Sequence, residues 1–287
     1  MRTDSLRAIA AADFDLARTL DSGQVFHWER CGDGYAGTIG AEGVYVEQRG
    51  SRLCFAGTTV EAIGHYFALD HPLAEICRSF PNDPAMRAAG DFCRGLRIMR
   101  QPRWECLATF ITSSMKQVAH IRQISQTLRT RYGKRQRVTN CEAHSFPTPS
   151  RIAKLTEQDL RACALGYRAK NLLATARLVA SGEADLKQWS ELSDEALRVA
   201  LCELPGVGAK VANCVMLFAY ERLQAFPIDV WIERVLKQQY FPRKRKVTAT
   251  QLQAFCATYF GPHGGYAQQY LFHHARKGGA ALRLAAK

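Results

Sequence analysis

A chain of 287 residues is long enough to bury one large core, or two to three unequal ones, without covalent staples. Hydrophobic residues at 47% and charged residues at 23% exclude an intrinsically disordered, fibrous or repeat class. The 39 Lys+Arg against 26 Asp+Glu leave a net charge of +13 spread along the chain, which points to a polyanionic partner: nucleic acid first, with membrane headgroups and acidic proteins as the alternatives.

From Phe14 to Thr58 apolar residues alternate between glycine-bearing turns, in the pairs Phe26 and Trp28, Tyr35 and Gly37, Val44 and Val46, Leu53 and Phe55. That pattern predicts an antiparallel β meander. After Val60 the period lengthens to three or four, as in Ile63 and Phe67 and then Leu73, Ile76, Cys77 and Phe80, and no comparable alternation returns. The remainder is therefore expected to be helical, with helices over about 104–132, 150–163, 167–181, 193–203, 209–221, 230–239, 249–260 and 266–275. "FPTPS" (146–150) opens one helix and "LGYR" (165–168) separates two. The predicted class is α+β: a small N-terminal antiparallel β-sheet domain over 1–75 and a large all-α domain over 76–287, its hairpin at about 194–221.

The ten cysteines include no CxxC pair and mostly sit among apolar neighbours, so they read as reduced, buried fillers. With no apolar N-terminal segment and no apolar run long enough to cross a bilayer, the expected location is the cytoplasm or nucleoid, or the nucleus in a eukaryote.

The chemistry concentrates between Leu204 and Leu236. In "LPGVG" (204–208) two glycines permit a reversal between helices that leaves backbone N–H groups at the start of the next helix, a tip that suits a phosphate; a plain helix–helix turn is the alternative. Lys210 falls in the first turn of that helix and shares a face with Cys214 and Leu217. There a helix N-terminus and partial desolvation favour a neutral, nucleophilic amine, although a lysine that merely contacts phosphate fits equally well. Asp229 follows Phe226-Pro227-Ile228 and precedes an apolar helix, where it can act as an N-cap. Together with Lys210 it suggests a second role, because a carboxylate stabilises positive charge developing at a sugar carbon that an amine then captures.

"LPGVGAKVANC…FPIDV" resembles the helix-hairpin-helix DNA glycosylase superfamily, in which the lysine marks a bifunctional glycosylase/lyase. "LDSGQVFHW" (20–28), "WECLATFITSS" (104–114), "FPTPSRIAKL" (146–155), "LGYRAKNL" (165–172) and "GPHGGYAQQYLF" (261–272) are similar to the 8-oxoguanine branch. The resemblance implies that Lys210 attacks C1′ and that Asp229 stabilises charge as the base departs. It implies a base pocket of Gly23, Cys214, Gln268 and Phe272, with the Gly23 carbonyl accepting from N7–H. Tyr167 would be the wedge that fills the gap left by the flipped base, and Arg168 a reader of the orphaned partner base, while Gly206, Val207 and Gly208 would meet a DNA phosphate. Met115 and His120 depart from the branch's pattern at positions that face the orphaned base, and Trp231 stands where a histidine is common. No cofactor is implied beyond a monovalent cation at the hairpin backbone. An iron–sulfur cluster would need four clustered cysteines, and beyond Asp229 the sequence holds Cys256 alone. His273 and His274 read as surface residues or phosphate contacts. The expected partner is duplex DNA containing oxidised guanine, bound by a monomer. An alkylated-base glycosylase and a non-catalytic DNA-binding hairpin module are the alternatives.

Overall fold

The computed structural model describes residues 6–114, 116–244 and 246–278. Five strands, β1 (Arg7–Ala10), β2 (Glu29–Cys31), β3 (Gly34–Ile39), β4 (Glu42–Arg49) and β5 (Arg52–Ala56), form an antiparallel sheet in the order β1-β5-β4-β3-β2. Strands β2 to β5 are the predicted meander, and β1 joins its edge beside β5. Val46 stands opposite both Tyr35 and Phe55. Val44, Val46, Leu53 and Phe55 are fully buried against Phe14, Trp28, Ile63 and Phe67, so the alternation in the sequence is the inner face of the sheet. Phe26 and Trp28 precede β2 as loop instead of strand. Trp28 is nonetheless buried, its ring laid over Gly37, where a β-carbon would stand 2.6 Å from it.

The helices are α1 (Leu16–Asp21), α2 (Val60–Tyr66), α3 (Leu73–Arg78), α4 (Pro84–Phe92), α5 (Arg103–Ser113), α6 (Val118–Tyr132), α7 (Pro149–Ala153), α8 (Glu157–Arg161), α9 (Arg168–Ser181), α10 (Asp194–Cys202), α11 (Ala209–Ala219), α12 (Val230–Tyr240), α13 (Ala249–Tyr259) and α14 (Gly264–Lys277). Two predicted helices each divide. The first breaks after Ser114, whose backbone turns extended. The second breaks at Thr156, which forms a capping box with Asp159 and so starts a new helix. None of the described helices is long and apolar enough to cross a membrane.

Two expectations are corrected here. The chain beyond residue 76 is not all helical: β6 (Arg135–Val138) and β7 (Cys141–His144) form a hairpin that packs against β3 and β4. Its segments RQRV and CEAH bury little beyond Val138 and Cys141, so no apolar period betrays them. Nor are all the cysteines free fillers. Cys31 on β2 and Cys141 on β7 form a disulfide across 110 residues with a Cα–Cα distance of 6.4 Å, and Cys202 is exposed.

A buried polar network ties the sheet to the helices. Arg129 of α6 donates to Glu105 of α5, to Thr38 Oγ1 of β3 and to the His144 carbonyl of β7, the last two at 2.9 Å. His27 completes it, with Nε2 2.9 Å from the Thr38 carbonyl and Nδ1 3.3 Å from Glu105. Burial, aided by Arg129, holds the His27 imidazole well below its ordinary pKa and hence neutral.

Candidate active site

The site begins at the hairpin formed by α10 and α11. Leu204 and Val207 are buried and anchor the turn, and Gly206 reverses it in the left-handed region at φ +82°. A β-carbon on Gly206 would stand 2.8 Å from Cβ of Asn171, so both the backbone and the neighbour require glycine here. Gly208 caps α11 without a side chain and is exposed, as is Gly206. The Val207 amide donates to the Leu204 carbonyl at 3.1 Å, so Val207 holds the turn and is not one of its outward donors, a correction to its expected phosphate contact.

Lys210, the second residue of α11, points its amine at the end of α5: Nζ is 3.4 Å from Ser113 Oγ and 5.1 Å from the centre of the Phe110 ring. One turn on, the buried Cys214 thiol lies beside it. Burial pushes that thiol up to about 11 despite the opposing pull of the lysine charge, so it is un-ionised at neutral pH. Asp229 is the N-cap of α12 and accepts from the Ile232 amide at 2.8 Å. Burial raises its carboxyl above the usual value, against the pull of the Ile232 amide and of Lys210. Lys210 and Asp229 thus come from different helices to line one cleft of about 1060 Å³, with Gly206 and Gly208 also on its wall.

Gly23 and Phe272 line the same cleft. Gly23 has φ +88°, and the Phe272 ring rests where a β-carbon would lie 3.0 Å from its Cε1. Cys214 and Gln268, the other two residues of the expected base pocket, are buried and do not line the cleft, and the Gln268 Oε1 has no hydrogen-bond partner among the described residues. Tyr167 is 55% exposed at the start of α9, just after the left-handed Gly166.

Arg168 departs from its expected place. It is buried, with Nε donating to the Ser114 carbonyl at 2.8 Å and Nη1 to the Leu165 carbonyl at 3.2 Å, so it braces the end of α5 instead of presenting its guanidinium to a partner base. His120 is exposed on the first turn of α6, and Met115 lies outside the described residues. His273 is also corrected: it is buried against Phe92, ring centres 5.5 Å apart, and burial depresses it to about 4. Sequence reasoning passed over Ser113, the lysine's hydrogen-bond partner, and Arg276, which lines the cleft. The i,i+4 spacing from Phe272 was the available signal for Arg276. Trp231 is 39% exposed in the cleft with the Arg234 guanidinium 5.5 Å from its ring centre.

Residues 7–107 match the family described as 8-oxoguanine DNA glycosylase, N-terminal domain, and residues 108–258 match the HhH-GPD superfamily base excision DNA repair protein. The chain is 28% identical to the probable N-glycosylase/DNA lyase of Methanothermobacter thermautotrophicus, covering 96% of this chain and 98% of that one. Among solved structures it is similar to MBOgg1 in complex with a low affinity DNA ligand, with a TM-score of 0.91, 32% identity and coverage of 97% and 98%. It is also similar to the 8-oxoguanine glycosylase/lyase of Clostridium acetobutylicum bound to double-stranded DNA containing cytosine opposite 8-oxoG, at a TM-score of 0.88, 29% identity and coverage of 96% and 100%. By these matches the chain belongs to the HhH-GPD superfamily of base excision DNA repair proteins, in the branch with an 8-oxoguanine DNA glycosylase N-terminal domain.

Proposed function

We propose that this protein flips 8-oxoguanine out of duplex DNA, excises it, and cleaves the resulting abasic strand through a Schiff base on Lys210. The observation that carries this reading is the meeting of Lys210 and Asp229 in one cleft, the amine beside an un-ionised buried thiol. Lys210 Nζ gives up a proton and its lone pair bonds to C1′ as the C1′–N9 bond breaks; the electrons of that bond leave with the base, which takes up the proton. Positive charge builds on C1′ and the ring oxygen during departure, and the partly buried Asp229 carboxylate stabilises it electrostatically. Ring opening gives the Schiff base. Loss of a C2′ proton then expels the 3′ phosphate, and hydrolysis frees the lysine.

The exposed hairpin tip supplies N–H donors and a positive helix end for a backbone phosphate. Tyr167 fills the vacated stack, offsetting part of a flipping cost of a few kcal/mol. Gln268 and Phe272, one helical turn apart on α14, read and stack the base, and the Gly23 carbonyl accepts N7–H, which guanine lacks. A monovalent cation at the hairpin carbonyls and a monomer bound to DNA belong to the same reading. An alkylated-base glycosylase would leave the placement of Lys210 without purpose, and so would a module that only binds DNA.

The test is borohydride trapping with duplexes that pair 8-oxoguanine with each of the four bases. Wild type is expected to give a covalent enzyme–DNA adduct. Lys210→Gln is expected to bind the same duplexes and give none. Trapping that survives in Lys210→Gln would refute the assignment of the nucleophile.

A further inference from the structure

Three polar side-chain atoms of α14 are buried without partners among the described residues, Gln268 Oε1, His273 Nδ1 and Arg276 Nε, and the first and last belong to residues on the face that holds Phe272. Those two residues flank Phe272 at intervals of four, so Gln268, Phe272 and Arg276 form one stripe along the helix. The Arg276 guanidinium lies 5.5 Å from the centre of the Phe272 ring, and its Cζ and Nη1 are each 3.6 Å from where a β-carbon on Gly23 would stand. Nη2 donates to the Asp21 carbonyl, and Nη1 has no protein partner among the described residues.

A strut to Asp21 does not account for this side chain. The Asp21 carboxylate is already held by Lys277 at 2.8 Å and Arg122 at 3.0 Å, and one nitrogen of Arg276 suffices for the backbone carbonyl. The Nε of the guanidinium is buried beside the cleft with no partner among the described residues, a costly arrangement unless an acceptor arrives. The acceptor's place is marked by Gly23. If its carbonyl takes N7–H, the donors beside it face the neighbouring positions on the same edge of the base. In 8-oxoguanine both neighbours, O6 and O8, are carbonyl oxygens, and arginine is well suited to acceptors on a base edge.

We propose that Arg276 is a specificity-determining residue whose guanidinium, set between Phe272 and Gly23, donates to a carbonyl oxygen flanking N7–H of the flipped base. The inference rests on the function proposed above and adds a contact to it.

The experiment compares wild type, Arg276→Leu and Arg276→Lys under single-turnover conditions on two duplexes, one with 8-oxoguanine and one with a preformed abasic site at the same position. Wild-type excision of 8-oxoguanine is the control for the parent reading and fails or holds independently of the variants. Arg276→Leu is expected to slow base excision by roughly 10- to 100-fold while cleavage at the abasic site, which offers no base to read, stays within about twofold; Arg276→Lys recovers part of the loss. Parallel loss on both duplexes would mean that the guanidinium serves a phosphate or the fold, and unchanged excision would mean that it touches nothing in the reaction; either overturns the proposal. The oxygen is identified in a Lys210→Gln background from affinities for 8-oxoguanine and guanine duplexes. Adding Arg276→Leu narrows their ratio if the contact is to O8, and lowers both alike if it is to O6.

Discussion

Asp229 carries two duties on one carboxyl group. Its Oδ1 caps α12 through the Ile232 amide, and the group sits in a partly desolvated cleft that raises its pKa. For an acid raised in the fold, the cost of ionisation is present above the folded pKa and relieved as the pH falls through it. Replacement by a neutral isostere removes that cost, and asparagine caps about as well as aspartate. Asp229→Asn is therefore expected to melt no lower than wild type at pH 7, while excision falls by about 10²- to 10³-fold, the loss typical of one electrostatic stabiliser. Thermal melting paired with single-turnover kinetics checks both halves, and a clear drop in melting temperature would show the carboxylate to be structural. The pairing of Lys210 with Asp229 was legible in the sequence because the identity and position of each residue in its helix could be read locally. Arg168 was not, since a buried brace and an exposed reader have the same neighbours in sequence and differ only in what α5 places above them.

At the scale of elements, the hairpin separates the demands of folding from those of binding. Gly206 is left-handed and pressed on Asn171, whereas Gly208 is extended and a β-carbon there would meet nothing within 4 Å. Gly206→Ala is expected to cost about 1–3 kcal/mol in urea unfolding, combining the left-handed penalty with the clash. Gly208→Ala is expected to stay within about 0.5 kcal/mol of wild type, as open surface sites do. A loss of DNA affinity in Gly208→Ala would then report the close approach of a phosphate, whereas unchanged affinity would remove the tip from the interface. Helices α9 to α14 appeared at about their predicted places because each has a clear stop or cap, such as Ser193, Asp229 and Thr248. The β6–β7 hairpin was missed because its stabilisation comes from β3, β4 and the disulfide, not from its own pattern.

For the whole molecule, buried neutral histidines couple stability to pH. His27 is held well below its ordinary value, chiefly by burial, and His273 is depressed to about 4 for the same reason. A histidine depressed in the fold contributes stability that is complete above its unfolded pKa and is lost as the pH falls below it, because the unfolded chain takes up the proton first. Stability is expected to decline from about pH 6.5 downward, by up to about 1.4 kcal/mol per pH unit for each histidine. Paired carboxylates such as Asp70 and Glu221, held at about 2, add to the loss only in more acidic solution. Urea midpoints at pH 7.5 and 5.5 test this. His273→Gln should flatten the difference, and a wild-type midpoint that does not move would show that these rings are hydrated.

What the sequence determined by itself was whatever a local window contains: the two periods that separate sheet from helices, the helix starts and stops, and an amine and a carboxylate each fixed by the turn beside it. What the tertiary structure alone decided spans long intervals of chain. The disulfide crosses 110 residues, and the Arg276 guanidinium reaches the Asp21 carbonyl across 255 residues of sequence. The burial of Arg168 and His273 depends on which helix lies over them. Local spacing fixes which face of an element a side chain occupies, but only packing fixes what that face meets, and the solvation that sets a residue's chemistry follows from the second.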